Sequence, residues 1–288
     1  MENIGFIGLG IMGKPMVLNL LKAGFSVSVL EKSAAAKEVQ LSGAKLCSSP
    51  RLLAESADTI ITMLPDSPEV ESVLFGDEGI VSTMKEGQIF IDMSTISPLM
   101  AHKIHAELSK IGVDALDAPV SGGQAGAENG QLTVMIGGED KDFEKAQDII
   151  KCYSKKMKVL GPAGSGQLAK MVNQICIVGL VQGLSEGIRF GQNAGLNMED
   201  VIEVISKGAA QSWQMENRYK TMIQGKFDFG FAVDWMRKDL GIAMDEAKNN
   251  GSDLPITKII DGYYSEVQKN SGNRFDTSSL ITRLKKNK

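Results

Sequence analysis

Up to about residue 162 the chain alternates between short apolar runs and segments whose apolar residues recur at helical spacing. "NIGFIGLG" from Asn3, "FSVSVLE", "DTIITMLPD", "GQIFIDMST", "GVDALDAPV" and "LTVMIGG" read as strands, each bounded by Gly, Pro, Asp or Ser. Residues 12–23, 50–56, 68–75, 98–111 and 140–152 read as helices between them. Such alternation needs crossover connections and so predicts βαβ units in a mainly parallel sheet.

Beyond residue 164 the strand signal fades. Residues 165–193 form one helical stretch stopped by Gly195, and apolar residues cover most of its faces, which predicts a buried central helix. Helical patterns follow near 198–207, 211–224, 235–249, 255–270 and 277–286. The pattern therefore divides the chain into an α/β domain over 1–162 and an all-α domain over 163–288 built on that long helix.

Composition narrows the function classes. Hydrophobic residues make up 43% of the 288 and charged residues 23%, enough to bury a large core. A net charge of -4, with basic residues clustered only in the tail "RLKKNK", argues for neither a nucleic-acid nor a membrane partner. Cys47, Cys152 and Cys176 are far apart, so neither a disulfide frame nor a zinc site is expected. His102 and His105 read as an exposed helix face, and no metal is expected. The start of the chain lacks the features of a signal peptide, and the longest apolar run, "ICIVGLV", is too short to span a bilayer. A cytoplasmic protein is the expectation.

The first strand leads into chemistry. "FIGLGIMG" sets Gly8, Gly10 and Gly13 in G-x-G-x-x-G register, with Ile11 and Met12 inside the turn, after a strand and at the start of a helix. That context makes the motif a dinucleotide site: Gly8 for the tight turn, Gly10 for backbone approach to the pyrophosphate, Gly13 for helix packing. It predicts a Rossmann-type domain whose helix N-terminus meets the phosphates. Glu31, closing the second strand, can accept hydrogen bonds from the adenosine ribose and would repel a 2′-phosphate, favouring NAD. Lys32 is a counter-signal for NADP, and both residues also suit plain loop charges. Leu64–Pro65 and Ser94–Thr95 end further strands of the sheet and are candidates for the nicotinamide half.

Three further stretches point to a reacting site. In "DAPVSGG", Ser121 offers a hydroxyl, and Gly122 and Gly123 let backbone N–H groups face outward, a concavity suited to a carboxylate. In "GPAGSGQLAKMVN", Lys170 and Asn173 stand three apart and share a helix face. Lysine is rarely buried unless paired or used. One alternative is a lysine laying its stem along the helix start. The other is an amine whose charged form is disfavoured by apolar walls, able to give and take a proton near neutrality. Trp213, in "AAQSWQMENR", suits either a pocket wall or a helix-packing aromatic.

Taken in order, "GFIGLGIMG", "DAPVSGG", "GPAGSGQLAKMVN" and "KDLGIA" resemble the β-hydroxyacid dehydrogenase family, of the 3-hydroxyisobutyrate dehydrogenase and tartronate semialdehyde reductase type, over essentially the whole chain. The resemblance implies an NAD- or NADP-dependent oxidoreductase acting on a small 3-hydroxy acid or its semialdehyde, with the site in a cleft between the domains. It implies Lys170 as acid/base, Asn173 orienting the substrate, and Ser121, Gly122 and Gly123 on its carboxylate. It places Lys238 by the cofactor and Phe231 over the nicotinamide side. Trp213 falls in a region that varies with substrate in such enzymes. The long apolar helix suits a homodimer or homotetramer. An imine or broad aldehyde reductase and a non-catalytic dinucleotide-binding module are the alternatives.

Overall fold

The computed structural model describes residues 2–286. In chain order its regular elements are β1 (Asn3–Ile7), α1 (Gly13–Lys22), β2 (Ser26–Leu30), α2 (Ala36–Leu41), β3 (Lys45–Cys47), α3 (Pro50–Ser56), β4 (Thr59–Thr62), α4 (Ser67–Phe75), β5 (Ile89–Asp92), α5 (Pro98–Ser109), β6 (Asp114–Asp117), β7 (Val120–Ser121), α6 (Gly123–Glu128), β8 (Leu132–Ile136), α7 (Asp140–Lys151) and β9 (Ser154–Val159), then α8 (Ser165–Asn193), α9 (Met198–Ile205), α10 (Trp213–Gln224), α11 (Val233–Asn250) and α12 (Pro255–Lys269). No strand follows Val159 among the described residues.

Six parallel strands form one sheet in the order β3-β2-β1-β4-β5-β6. The order reverses at β1 and β4, where a doubly wound sheet opens a crevice at its carboxyl edge. β4 and β5, "TIIT" and "IFID", are buried at every position, as strands covered on both faces must be. Ser49, Asp66 and Ser97 cap α3, α4 and α5, each with a proline in the first turn, so these helices start where the sequence supplies an acceptor and a preset φ. A second sheet, β7-β8-β9, pairs β7 with β8 antiparallel and β8 with β9 parallel.

Five elements escape the apolar pattern. β3 has three residues, and β7 two. β9 reads "SKKMKV" and alternates only roughly, with its lysines outward on a sheet edge. The six-residue α2 and α6 are under two turns long, too short for periodicity to detect.

The chain divides into two compact units on either side of the Lys170–Met171 bond. The first six residues of α8 therefore pack with the sheets. In the helical unit, Val178 and Val181 of α8 join Val233, Met236, Leu240, Ile260 and Tyr264 in one core, and Leu184 and Ile188 join Met198, Ile202 and Met222 in another. The expectation of a buried central helix needs correction: Val172, Leu180 and Phe190 stand 62%, 45% and 75% exposed, so one apolar flank of α8 is left uncovered by the described residues. By length and composition α8 is also apolar enough to cross a membrane, although "ICIVGLV" alone is not. Its inward positions are taken by the two helical cores.

Two acids sit at neighbouring strand ends. Asp92, closing β5, is buried; its Oδ1 accepts from Thr62 Oγ1 at 2.8 Å and from Ser94 N at 3.0 Å, and Oδ2 has no hydrogen-bond partner among the described residues. Asp117, closing β6, is buried too. Burial lifts both carboxyls from 3.8 to about 6, against their hydrogen bonds, and the Asp117 charge lifts Asp92 further. A carboxyl with a raised folded value binds its proton more tightly when folded. Its contribution to stability is therefore full below pH of about 4 and is lost as pH rises through about 6. Asp92→Asn removes that loss. Relative to the wild type it should gain on the order of 1–3 kcal/mol between about pH 4 and pH 7. Urea unfolding at the two pH values checks this, and a constant difference would contradict it.

Candidate active site

The turn between β1 and α1 is shaped by its glycines. Gly8 has φ +109, and a Cβ there would stand 2.2 Å from the Met63 carbonyl oxygen. At Gly13 it would meet the Gly8 oxygen at 1.8 Å, so helix and strand close on each other only without a side chain. Gly10 differs, since a Cβ on it would reach open space. Beside that space α1 begins at Gly13, after Ile11 and Met12, with no side-chain cap on its first N–H groups and no acidic residue in its first turn. Ile11 is exposed and Met12 half-buried. Open space against uncapped, positively polarised amides is a cradle that fits a pyrophosphate. β2 ends at Leu30, one residue before Glu31; Glu31 and Lys32 are exposed, with the Glu31 amide tied to the Cys47 carbonyl at 3.0 Å. Neither is drawn into the core, as a contact to a bound ribose requires.

The loops after β4 and β5 are joined. Leu64 N donates to Ser94 Oγ at 2.8 Å, which makes Ser94 a buried tie between the two loops and leaves Pro65 exposed and Thr95 half-buried beside it. After β6 the chain reaches β7 and then Gly122 and Gly123, with φ +133 and +62, in the left-handed region that β-carbons resist. This turn presents the half-buried Ser121 hydroxyl and the exposed glycine backbone together.

Lys170 lies against the same segment. Its side chain is 6% exposed, and Nζ donates to the Val120 carbonyl at 2.8 Å, one residue before Ser121. Burying an ammonium is costly unless it is hydrogen-bonded. The helix start that delivers it is held by Asp117. Oδ1 of Asp117 accepts from Gly164 N at 2.7 Å and Oδ2 from Gln167 N at 2.9 Å, so a buried carboxylate caps α8.

The helical unit carries a second group of expected residues. Asn173 Nδ2 donates to Gln174 Oε1 at 2.8 Å, and Gln174 Nε2 to Asp239 Oδ2 at 2.6 Å. Asp239 is fully buried, and Lys238 Nζ lies 2.9 Å from its Oδ1. Phe231 is held by its backbone, its amide donating to Asp276 Oδ2 at 3.0 Å and its carbonyl accepting from Thr277. Trp213, at the start of α10, is half exposed, and Arg218 stacks over its ring at 4.8 Å and over Phe229 at 5.1 Å while pairing with Asp276 at 3.2 Å. Trp213 thus packs on its own helix and still presents a face to solvent. Of the histidines, His102 is exposed, whereas His105 is half-buried and lines a small cavity with Asp92 and Asp117, so it does not belong to a wholly exposed face.

Sequence reading passed over Asp92, Asp117, Gln167, Gln174 and Asp239. The signal present was polarity in the wrong place: acids at the ends of apolar strands, and glutamines inside an apolar helix.

Comparison with known proteins closes the assignment. Residues 3–161 match the family model for the NAD binding domain of 6-phosphogluconate dehydrogenase, and residues 164–284 match that for the NAD-binding of NADP-dependent 3-hydroxyisobutyrate dehydrogenase. The chain is 52% identical, over its whole length and that of its relative, to an uncharacterized oxidoreductase of Shewanella frigidimarina. It is 36% identical to 2-hydroxy-3-oxopropionate reductase of Escherichia coli over 98% of this chain and 96% of that protein. The solved structure of Mycobacterium tuberculosis 3-hydroxyisobutyrate dehydrogenase with L-serine superposes with a TM-score of 0.88 at 29% identity, covering 99% of each chain. With these matches over both halves of a chain that builds a dinucleotide cradle and a buried lysine beside a Ser-Gly-Gly turn, the protein belongs to the β-hydroxyacid dehydrogenase family and is an NAD(P)-dependent enzyme of the 3-hydroxyacid dehydrogenase and semialdehyde reductase type.

Proposed function

We propose that this enzyme interconverts a small 3-hydroxy acid and its semialdehyde, with Lys170 as the general acid/base. The observation that carries the reading is the buried Lys170 amine at the Val120 carbonyl, next to Ser121. Bound NAD or NADP supplies the hydride acceptor or donor. The Ser121 hydroxyl and the backbone N–H groups of the Gly122–Gly123 turn bind the substrate carboxylate. In reduction, Lys170 Nζ gives a proton to the carbonyl oxygen as its carbon gains a hydride; in oxidation the amine takes the hydroxyl proton as the hydride leaves. Asn173 orients the substrate, Phe231 and Lys238 serve the cofactor, and Trp213 belongs to the substrate-discriminating region. Leu64, Pro65 and Thr95 serve the nicotinamide half, and Gly8, Gly10, Ile11, Met12 and Gly13 the phosphates.

The carboxylate reading follows from donor number. One hydroxyl and a short glycine turn offer few donors, which suits a single carboxylate. Holding that carboxylate while Lys170 reaches the reacting oxygen sets the span between the two groups, and such placement is a large part of the rate. Tartronate semialdehyde and methylmalonate semialdehyde have the required span.

Lys170→Ala should keep the fold and cofactor binding while turnover falls by roughly 10²–10⁴, the range for losing a general acid/base. Lys170→Arg should not rescue it, because a guanidinium keeps its proton. Steady-state rates and cofactor fluorescence titration decide; turnover near the wild-type level in Lys170→Ala would refute the assignment.

A bound substrate without the carboxylate covers the Ser121–Gly123 donors and leaves them unpaired, at about 1–3 kcal/mol for each. A semialdehyde acid should therefore exceed its methyl ester and a plain aldehyde of equal size by on the order of tenfold or more in kcat/KM. Equal efficiency across the three would show that the Ser121–Gly123 turn reads no carboxylate.

The exposed Glu31 carboxylate favours NAD over NADP, with Lys32 blunting the preference. Glu31→Asn should shift the kcat/KM ratio toward NADP, measured with both cofactors on one substrate. A strong wild-type preference for NADP would run against this.

A further inference from the structure

Gln167 is a long polar side chain with no exposed surface, on the helix that delivers Lys170. Its Nε2 donates to the Ser94 carbonyl at 2.9 Å, and its Oε1 accepts from Ile96 N at 3.1 Å. One planar amide therefore takes both backbone groups that flank Thr95, as an added strand would. The loop it grips is anchored elsewhere too. Ser94 Oγ holds Leu64 N, and Ser94 N reaches Asp92 Oδ1. The Gln167 backbone is itself fixed, its N–H donating to Asp117 Oδ2. Lys170 follows three residues later, on the same face of the helix.

We propose that Gln167 is a positioning residue: it locks the Ser94–Ile96 loop in register with Lys170, so that the reacting amine and the loop assigned to the nicotinamide half cannot shift independently. The proposal rests on Lys170 being the acid/base. A residue needed only to fill space here would be apolar, since a buried amide is stable only with its partners made. Glutamine supplies a donor and an acceptor at the right separation, and leucine of similar volume supplies neither. Asp117 sets where the helix begins; Gln167 sets where the loop stands relative to it.

The test uses the full chain, Gln167→Leu, Lys170→Ala and the double variant. In Gln167→Leu without cofactor, amide hydrogen exchange in the segment containing Ile96 should quicken, because that N–H loses its acceptor. A displacement on the scale of 1 Å costs up to about 10²-fold, so kcat should fall by about tenfold to a hundredfold while KM and the affinity for reduced cofactor stay within about threefold. On the Lys170→Ala background the Gln167 change should cost little more, because the residue acts through that amine. Two results would overturn the proposal: kcat within about twofold of the wild type, or losses from the two sites that simply multiply. Failure of the Lys170 reading is seen separately, as an active Lys170→Ala. If Gln167→Leu does not fold, Gln167→Glu keeps the acceptor for Ile96 and removes the donor to Ser94, and must show the kcat loss without the quickened exchange.

Discussion

The arrangement around Lys170 and the Ser-Gly-Gly turn depends on one buried carboxylate. Asp117 ends β6 and its two oxygens take the Gly164 and Gln167 amides at the start of α8. Removing a carboxylate from water is costly, and burial does lift its proton affinity. The cost is offset by charge-assisted hydrogen bonds from amides that would otherwise be orphaned at a helix terminus, and by the positive end of a 29-residue helix. The strand end and the helix start are thereby held together, 47 residues apart along the chain.

From that anchor the other polar contacts follow in order. Gln167 grips Ser94 and Ile96, Ser94 grips Leu64, and Lys170 reaches the Val120 carbonyl. Each of these groups is buried or partly buried, where an unmade hydrogen bond costs more than a made one contributes. Such a network tolerates few alternative arrangements. It holds the carboxyl edge of the sheet, the Ser-Gly-Gly turn and the lysine as one body, which is what the proton transfer proposed for Lys170 requires.

The helical unit shows the same economy around Asp239. This buried acid is met by Gln174 and by Lys238, its sequence neighbour, and Gln174 in turn receives Asn173. Asp276 plays a comparable part for the loop bearing Phe231, holding its amide while pairing with the Arg218 guanidinium that covers Trp213. In both places a residue expected to meet a ligand is held, directly or through a neighbour, by a buried acid.

The local code was strong enough in the sequence to read the main strands, the long helices and the glycine turns. β-branched runs, Ser-Pro and Asp-Ser-Pro starts and G-x-G-x-x-G spacing act over a few residues, and so they are visible without the fold. The candidates Lys170, Ser121 and Gly8 were legible for the same reason, since each stands in a short motif. Tertiary structure decided the rest. β9 is a strand only because β8 offers it a partner, since its lysines carry no apolar signal. α8 proved uncovered along Val172, Leu180 and Phe190, because which faces of an apolar helix are packed depends on what the fold sets against them. Asp92, Asp117 and Gln167 look like ordinary polar residues in the chain, 25 and 50 positions apart in succession. Their meaning lies in hydrogen bonds across that separation, and burial makes those bonds obligatory only once the sheet and helix have come together.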